Sequence, residues 1–184
     1  MSALAPILPG VEPQPASPPH IVARGEFFAL LEAAGSVAEP GSVPLLLVIE
    51  LAALRESGHD LDTQRVLAEA AAERLTQVLG HEGYICVLRQ GRLAVLAASD
   101  GGRSSDVLAS TLLAALARPI AAAGHTLTPG ATLSMATWGE DGETPEELFV
   151  AADQRIHAAQ AEAVAPIAQT CAVTFRPSPL RARA

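Results

Sequence analysis

Tyr84-Ile85-Cys86-Val87-Leu88-Arg89-Gln90-Gly91-Arg92-Leu93-Ala94-Val95-Leu96-Ala97 is the stretch from which the rest of the chain is read. Two apolar runs, each long enough for a buried strand, are separated by four residues centred on Gln90-Gly91. Glycine accepts the positive φ of a tight primed turn, so the stretch predicts a β-hairpin. Its tip carries Arg89 and Arg92 and no carboxylate.

Working outward, Val43 to Leu51 is the most apolar run in the chain, and Glu50 is its only charge. A near-continuous Leu/Val/Ile run bounded by Gly, Pro and Ser predicts a strand buried on both faces. A carboxylate at the end of such a strand is costly without a partner, which singles out Glu50. Between this strand and the hairpin, Asp62 to Leu79 predicts a helix. Its apolar stripe is Val66, Leu67, Ala70, Ala71, Leu75 and Val78, and Gly80 ends it. Upstream, Glu26 to Ala34 has Phe27, Leu30 and Leu31 at helical spacing.

Downstream of the hairpin, Ser104 or Ser105 caps a helix through Leu108, Leu112 and Leu116 that Pro119 stops. Thr132 to Trp138 is a strand candidate. Thr144-Pro145-Glu146-Glu147 is a capping box with proline at the first helical position, opening a helix that presents Leu148, Ala152, Ile156 and Ala159. Cys171 to Phe175 reads as a short last strand. The order predicts an α+β fold, an α/β sandwich. Its core is ferredoxin-like, βαββαβ, a five-stranded, mostly antiparallel sheet covered by helices on one side.

The chain has 184 residues, which suits one domain with tails. Residues 1–20 hold six of the 14 prolines and one charge, Glu12, and read as a flexible or polyproline-like tail. The domain is expected over 21–175. A basic tail, or the start of a linker, follows over 176–184. A net charge of −8 argues against a nucleic-acid backbone as partner. Cys86 and Cys171 lie in apolar runs and read as buried reduced thiols. No apolar run reaches the ~18 residues needed to span a bilayer. No basic segment followed by an apolar core marks a secretory signal, so the expected compartment is the cytoplasm.

Other polar groups carry little chemistry. His59, Asp60 and Asp62 precede a helix and read as turn and cap groups rather than metal ligands. His20, His81, His125 and His157 are dispersed, and no Ser-His-Asp or Cys-His constellation can be assembled. Gly101-Gly102 lacks a P-loop context and reads as a connection. The Ala-rich helix faces suit either a docking surface or simple helix formation.

In the order and spacing of its pieces the chain resembles the diguanylate cyclase, or GGDEF, family from about residue 21 to residue 175. Leu133-Ser134-Met135-Ala136-Thr137-Trp138, then Glu140-Asp141-Gly142 and the helix to Gln160, is similar to the family's "SIGVA", acidic loop and "AEELLRRADAALYRAK". Ala152-Asp153 falls on its "AD", and Ala72-Glu73-Arg74-Leu75 on its "AERL". The resemblance implies the five-stranded sheet of nucleotidyl cyclase domains. It also implies an activity in which two such domains join two GTP molecules into cyclic di-GMP. That chemistry uses divalent metal held by hard oxygen ligands, from an Asp near the end of the first strand and acids at the hairpin tip.

Carried over by position, the signature falls on Arg89-Gln90-Gly91-Arg92-Leu93. Arg89 and Gln90 stand where the family has glycines, and Gly91 and Arg92 where it has acids. The metal-binding Asp falls on Glu50 and the second Asp of "DLD" on Ala52, while "FK" survives as Leu54-Arg55. The guanine-reading Asn falls on Gly58, and the Asp falls near Arg65. The phosphate-binding Lys corresponds to Gln160, and the inhibitory RxxD to Gly80 and Gly83. A guanidinium cannot shed its charge, so Arg92 is expected to repel a metal and to pair with Glu50.

The expectation is therefore a catalytically inactive GGDEF-like domain with no catalytic residue, metal or cofactor. It would act as a regulatory or protein-interaction module in bacterial cyclic di-GMP signalling. Its partner would be a protein, a neighbouring signalling domain such as a cyclic di-GMP phosphodiesterase (EAL) domain, or a second copy in a homodimer, with neither nucleic acid nor membrane. The alternative is a receptor for GTP or cyclic di-GMP without turnover, with Arg55, Arg89 and Arg92 on the phosphates.

Overall fold

A computed structural model of the chain describes residues 20–37, 42–56, 58–80, 83–89, 91–99 and 104–163. In chain order the elements are α1 (Arg24–Ser36), β1 (Val43–Leu51), α2 (Ala52–Glu56), α3 (Leu61–Leu79), β2 (Gly83–Val87) and β3 (Arg92–Ser99). There follow α4 (Ser105–Leu116), β4 (Ile120–Ala122), β5 (His125–Leu127), β6 (Ala131–Thr137) and α5 (Pro145–Ala163). The main sheet has the order β2-β3-β1-β6, and every neighbouring pair is antiparallel. This is the α+β, ferredoxin-like arrangement expected. The expected fifth strand, Cys171 to Phe175, lies outside the described residues, as do residues 1–19, His81, Gln90, Gly101-Gly102 and the 176–184 tail.

β1 sits in the middle of the sheet because it is apolar on both faces. Leu45, Leu47, Ile49 and Leu51 pack with Leu54, Leu67, Leu75, Leu112 and Leu116 under α2, α3 and α4. Leu46 and Val48 pack with Phe27, Leu31, Leu148, Ala152 and Ile156 of α1 and α5. Helices thus cover both faces, not the one side expected. The reason lies in β1 itself: a strand with leucine on successive residues needs apolar cover above and below.

Helix starts follow their caps. Asp60 accepts from the Thr63 N–H at 2.9 Å to begin α3, and Ser104 from the Val107 N–H at 3.3 Å to begin α4. At α5, Thr144 Oγ1 accepts from the Glu147 N–H at 3.3 Å, but the Glu147 carboxylate accepts from the Glu143 N–H at 2.8 Å. The return bond therefore lands one residue earlier than in a capping box. His20 and Val22 extend the edge of β2 through Ile85 N–H to His20 O, 2.6 Å, and Val22 N–H to Ile85 O, 2.8 Å.

The hairpin turns at Gly91, φ +71°. A Cβ there would lie 2.8 Å from the Leu54 Cβ, and the Gly91 carbonyl accepts from the Leu51 N–H at 2.9 Å. Glycine is needed for conformation and for close approach, and it ties the tip to the β1–α2 junction. The small β4–β5 hairpin was not expected. Its three-residue strands are too short for a periodicity. Its turn, Ala123 (φ 52°) and Gly124 (φ 76°), is the primed kind that an X-Gly pair signals.

Candidate functional site

Glu50, the penultimate residue of β1, lies opposite Arg92, the first residue of β3, across the ladder. Both project toward the face covered by α5. Asp153 and Gln160 lie seven residues apart on α5, two turns, and so share that helix face. The resulting cluster is Glu50, Arg55, Arg92, Asp153 and Gln160.

Glu50 is only 5% exposed. Its Oε1 takes a salt bridge from Arg55 Nη1 at 2.8 Å and a hydrogen bond from Gln160 Nε2 at 2.7 Å. Its Oε2 stands 3.7 Å from Arg92 Nε. The expected contact between Arg92 and Glu50 is present, but it is the longest in the cluster. Arg92 makes its short bond to Asp153, Nη2 to Oδ1 at 2.6 Å, and its buried Nε has no hydrogen-bond partner. Two guanidiniums thus balance two carboxylates in a partly desolvated site, and neither cation can be discharged.

The donor set does not fit Mg²⁺. An octahedral cation needs several oxygen ligands free to face it. Here the carboxylates of Glu50 and Asp153 already face arginines, and Gly91 and Arg92 bring no oxygen-bearing side chain. Among the described residues no group of three or more His, Cys, Asp or Glu side chains is placed to hold a metal ion.

The other singled-out residues scatter. Arg89 is exposed at the hairpin tip, whereas Arg55 belongs to the cluster although half its side chain meets solvent. Gly58 is exposed, and Arg65 pairs with Glu69 one turn on, at 2.9 Å on the surface of α3. Asp60 is held below the usual carboxylate range by the Thr63 backbone and hydroxyl, as befits a cap. His59 rests its ring edge against His125, centroids 4.8 Å apart. Cys86 is a buried free thiol whose ionisation burial pushes up.

Three features were missed from sequence. The Arg92–Asp153 bond and the Gln160 hydrogen bond join residues 61 and 110 positions apart. The third is a clamp behind the site. Arg155 donates to the Met135 carbonyl and to both oxygens of Asp141, one of them at 2.9 Å. Asp141 also accepts from the Thr137 N–H at 2.8 Å. Burial pushes the Asp141 carboxyl up. The Arg155 hydrogen bonds, the Thr137 N–H and the Arg155 charge outweigh burial and leave it below the usual range. Only the helical phase of Asp153, Ile156 and Gln160 gave a local hint of any of these.

A family model described as diguanylate cyclase, GGDEF domain, matches residues 55–164. No curated protein matches the chain. Among solved structures, a sensory box/GGDEF family protein from Caulobacter crescentus superposes with a TM-score of 0.67 at 24% identity, covering 77% of this chain and 94% of that one. The GGDEF domain of TpbB (YfiN) from Pseudomonas aeruginosa gives 0.66 at 23% identity, covering 78% and 86%. An EAL/GGDEF domain protein from M. capsulatus gives 0.60 at 21% identity, covering 76% and 92%. These likenesses establish a shared fold, and the family model spans more than half of the sequence. The chain belongs to the GGDEF, diguanylate cyclase, family.

Proposed function

We propose that this GGDEF domain is catalytically inactive and serves cyclic di-GMP signalling as a regulatory or protein-interaction module. The observation that carries the reading is the occupancy of Glu50. At the position assigned to the metal-binding acid, Arg55, Gln160 and Arg92 already surround the carboxylate. At the acidic positions of the signature stand Gly91, which the turn requires, and Arg92, a permanent cation. A metal would have to displace arginines from a site that is neutral without it. Gly58 supplies no side chain to read guanine. What remains is a folded domain with exposed helix faces, which works by docking to a partner protein, to a neighbouring domain or to a second copy. The M. capsulatus EAL/GGDEF domain protein supports a neighbouring EAL domain as one such partner.

The second reading, a nucleotide receptor without turnover, draws on the half-exposed guanidinium of Arg55 beside Glu50 and on the exposure of Arg89 at the hairpin tip. Titration calorimetry with GTP and with cyclic di-GMP, with and without Mg²⁺, separates the two. The module reading expects no heat of binding. A dissociation constant of ~1 μM or tighter for either nucleotide, about −8 kcal/mol, overturns it in favour of the receptor.

A further inference from the structure

α1 rests on the sheet through Phe27 and Leu31, both fully buried, and its last turn comes closer still. A Cβ built on Gly35 would fall inside the indole of Trp138, so only glycine lets the helix seat there. Trp138 is the first residue after β6. Its N–H donates to the Pro44 carbonyl at 3.0 Å, and it bridges to Gly142, closing a loop that the Gly139 N–H pins to the Gly142 carbonyl at 2.8 Å. The far end of that loop is equally tight: a Cβ on Gly142 would stand 2.5 Å from the Glu147 Cβ of α5.

Inside the loop sits Asp141, which holds the Thr137 N–H and both arms of Arg155. Arg155 lies two residues from Asp153 on α5, within one helical turn. Asp153 in turn binds Arg92 beside Glu50. Contacts therefore run without a break from α1 through Trp138, the 139–142 loop and Arg155 to the charged cluster. Glycines at the two closest approaches leave no methyl-sized clearance, and the polar links are charge-assisted. Such packing passes a displacement on rather than absorbing it.

We propose that Trp138 and the Asp141–Arg155 clamp form a relay that couples the seating of α1 to the Glu50–Arg92–Asp153 cluster. When α1 lifts from its seat, the loop relaxes, Arg155 lets go of Asp141, and Asp153 moves away from Arg92. The relay gives the regulatory reading a physical route and rests on that reading for its use. Its test reads motion and not turnover, so the two fail separately.

Hydrogen exchange on the full chain, read by mass spectrometry, tests it. Residues 45–49 of β1, core on both faces, report global opening and set the baseline. Gly35→Ala, which puts a methyl where the indole sits, should speed exchange over residues 153–160 by about 3-fold or more beyond any gain in the baseline. Trp138→Phe, which loosens the seat from the other side, and Arg155→Met, which opens the clamp, should each give the same gain. In the Arg155→Met background, Gly35→Ala should add nothing further. Equal gains over 153–160 and 45–49 overturn the proposal, because the variants then only weaken the fold. So does a Gly35→Ala gain that is undiminished in the Arg155→Met background, since the motion then bypasses the clamp.

Discussion

The Glu50–Arg92 contact makes a quantitative prediction. At 3.7 Å two unit charges attract by about 4.5 kcal/mol at an effective dielectric of 20, an upper bound before desolvation. Neither residue is orphaned when the other is neutralised. Glu50 keeps Arg55 and Gln160, and Arg92 keeps Asp153. Glu50→Gln, which holds the shape, is expected to cost about 1–2 kcal/mol. Arg92→Met also loses the Asp153 bond, but Asp153 is 41% exposed and that pair adds under ~1 kcal/mol, for about 2 kcal/mol in all. The double variant should lose less than the sum by about 1–2 kcal/mol, the coupling of a partly buried pair. Urea unfolding followed by circular dichroism at pH 7 measures the three differences. Costs that add to within ~0.3 kcal/mol refute the cluster as an interacting unit.

Because β1 is core on both faces, Leu46→Ala and Leu47→Ala should each cost about 2–5 kcal/mol in urea; a near-silent Leu46→Ala contradicts the second layer. Gly91→Ala forces a side chain to φ +71° against Leu54 and should lower stability by about 1–3 kcal/mol without changing the slope of the urea transition. Ala123→Asn places a residue tolerant of positive φ in the β4–β5 turn and should raise Tm by ~1–3 °C in calorimetry. The Asp141 carboxyl is depressed in the folded chain, so its contribution is present above the unfolded value near ~4 and is lost as pH falls through the lower folded value. Asp141→Asn should therefore cost about 2 kcal/mol at pH 7, and the difference should shrink as pH falls through the lowered folded value; a difference independent of pH contradicts the Arg155 clamp.

The fold was legible where its cause was local. Apolar runs with X-Gly or Gly/Pro boundaries marked β1, β2 and β3, and Asp60, Ser104 and Thr144 marked helix starts within a residue or two. The second helical layer was recoverable from β1, since leucines at 45, 46 and 47 cannot all face one side. The β4–β5 hairpin was too short to leave a pattern. The site was only half legible. The charge of Arg92 and the isolation of Glu50 were plain in the sequence. Two of their closest partners, Asp153 and Gln160, depend on how α5 crosses the end of β1, a fact of packing that no spacing records, whereas Arg55 sits on α2 only five residues after Glu50. The Asp141–Arg155 clamp is hidden for the same reason: its ends sit on a loop and a helix 14 residues apart.

The measurement closest to the central claim is turnover. Purified chain incubated with GTP and Mg²⁺ or Mn²⁺, with the nucleotides resolved by anion-exchange chromatography, should leave GTP unchanged and yield no cyclic di-GMP. Accumulation of cyclic di-GMP that Arg92→Met alters would mean that arginines around Glu50 do not exclude the metal, and would contradict the account.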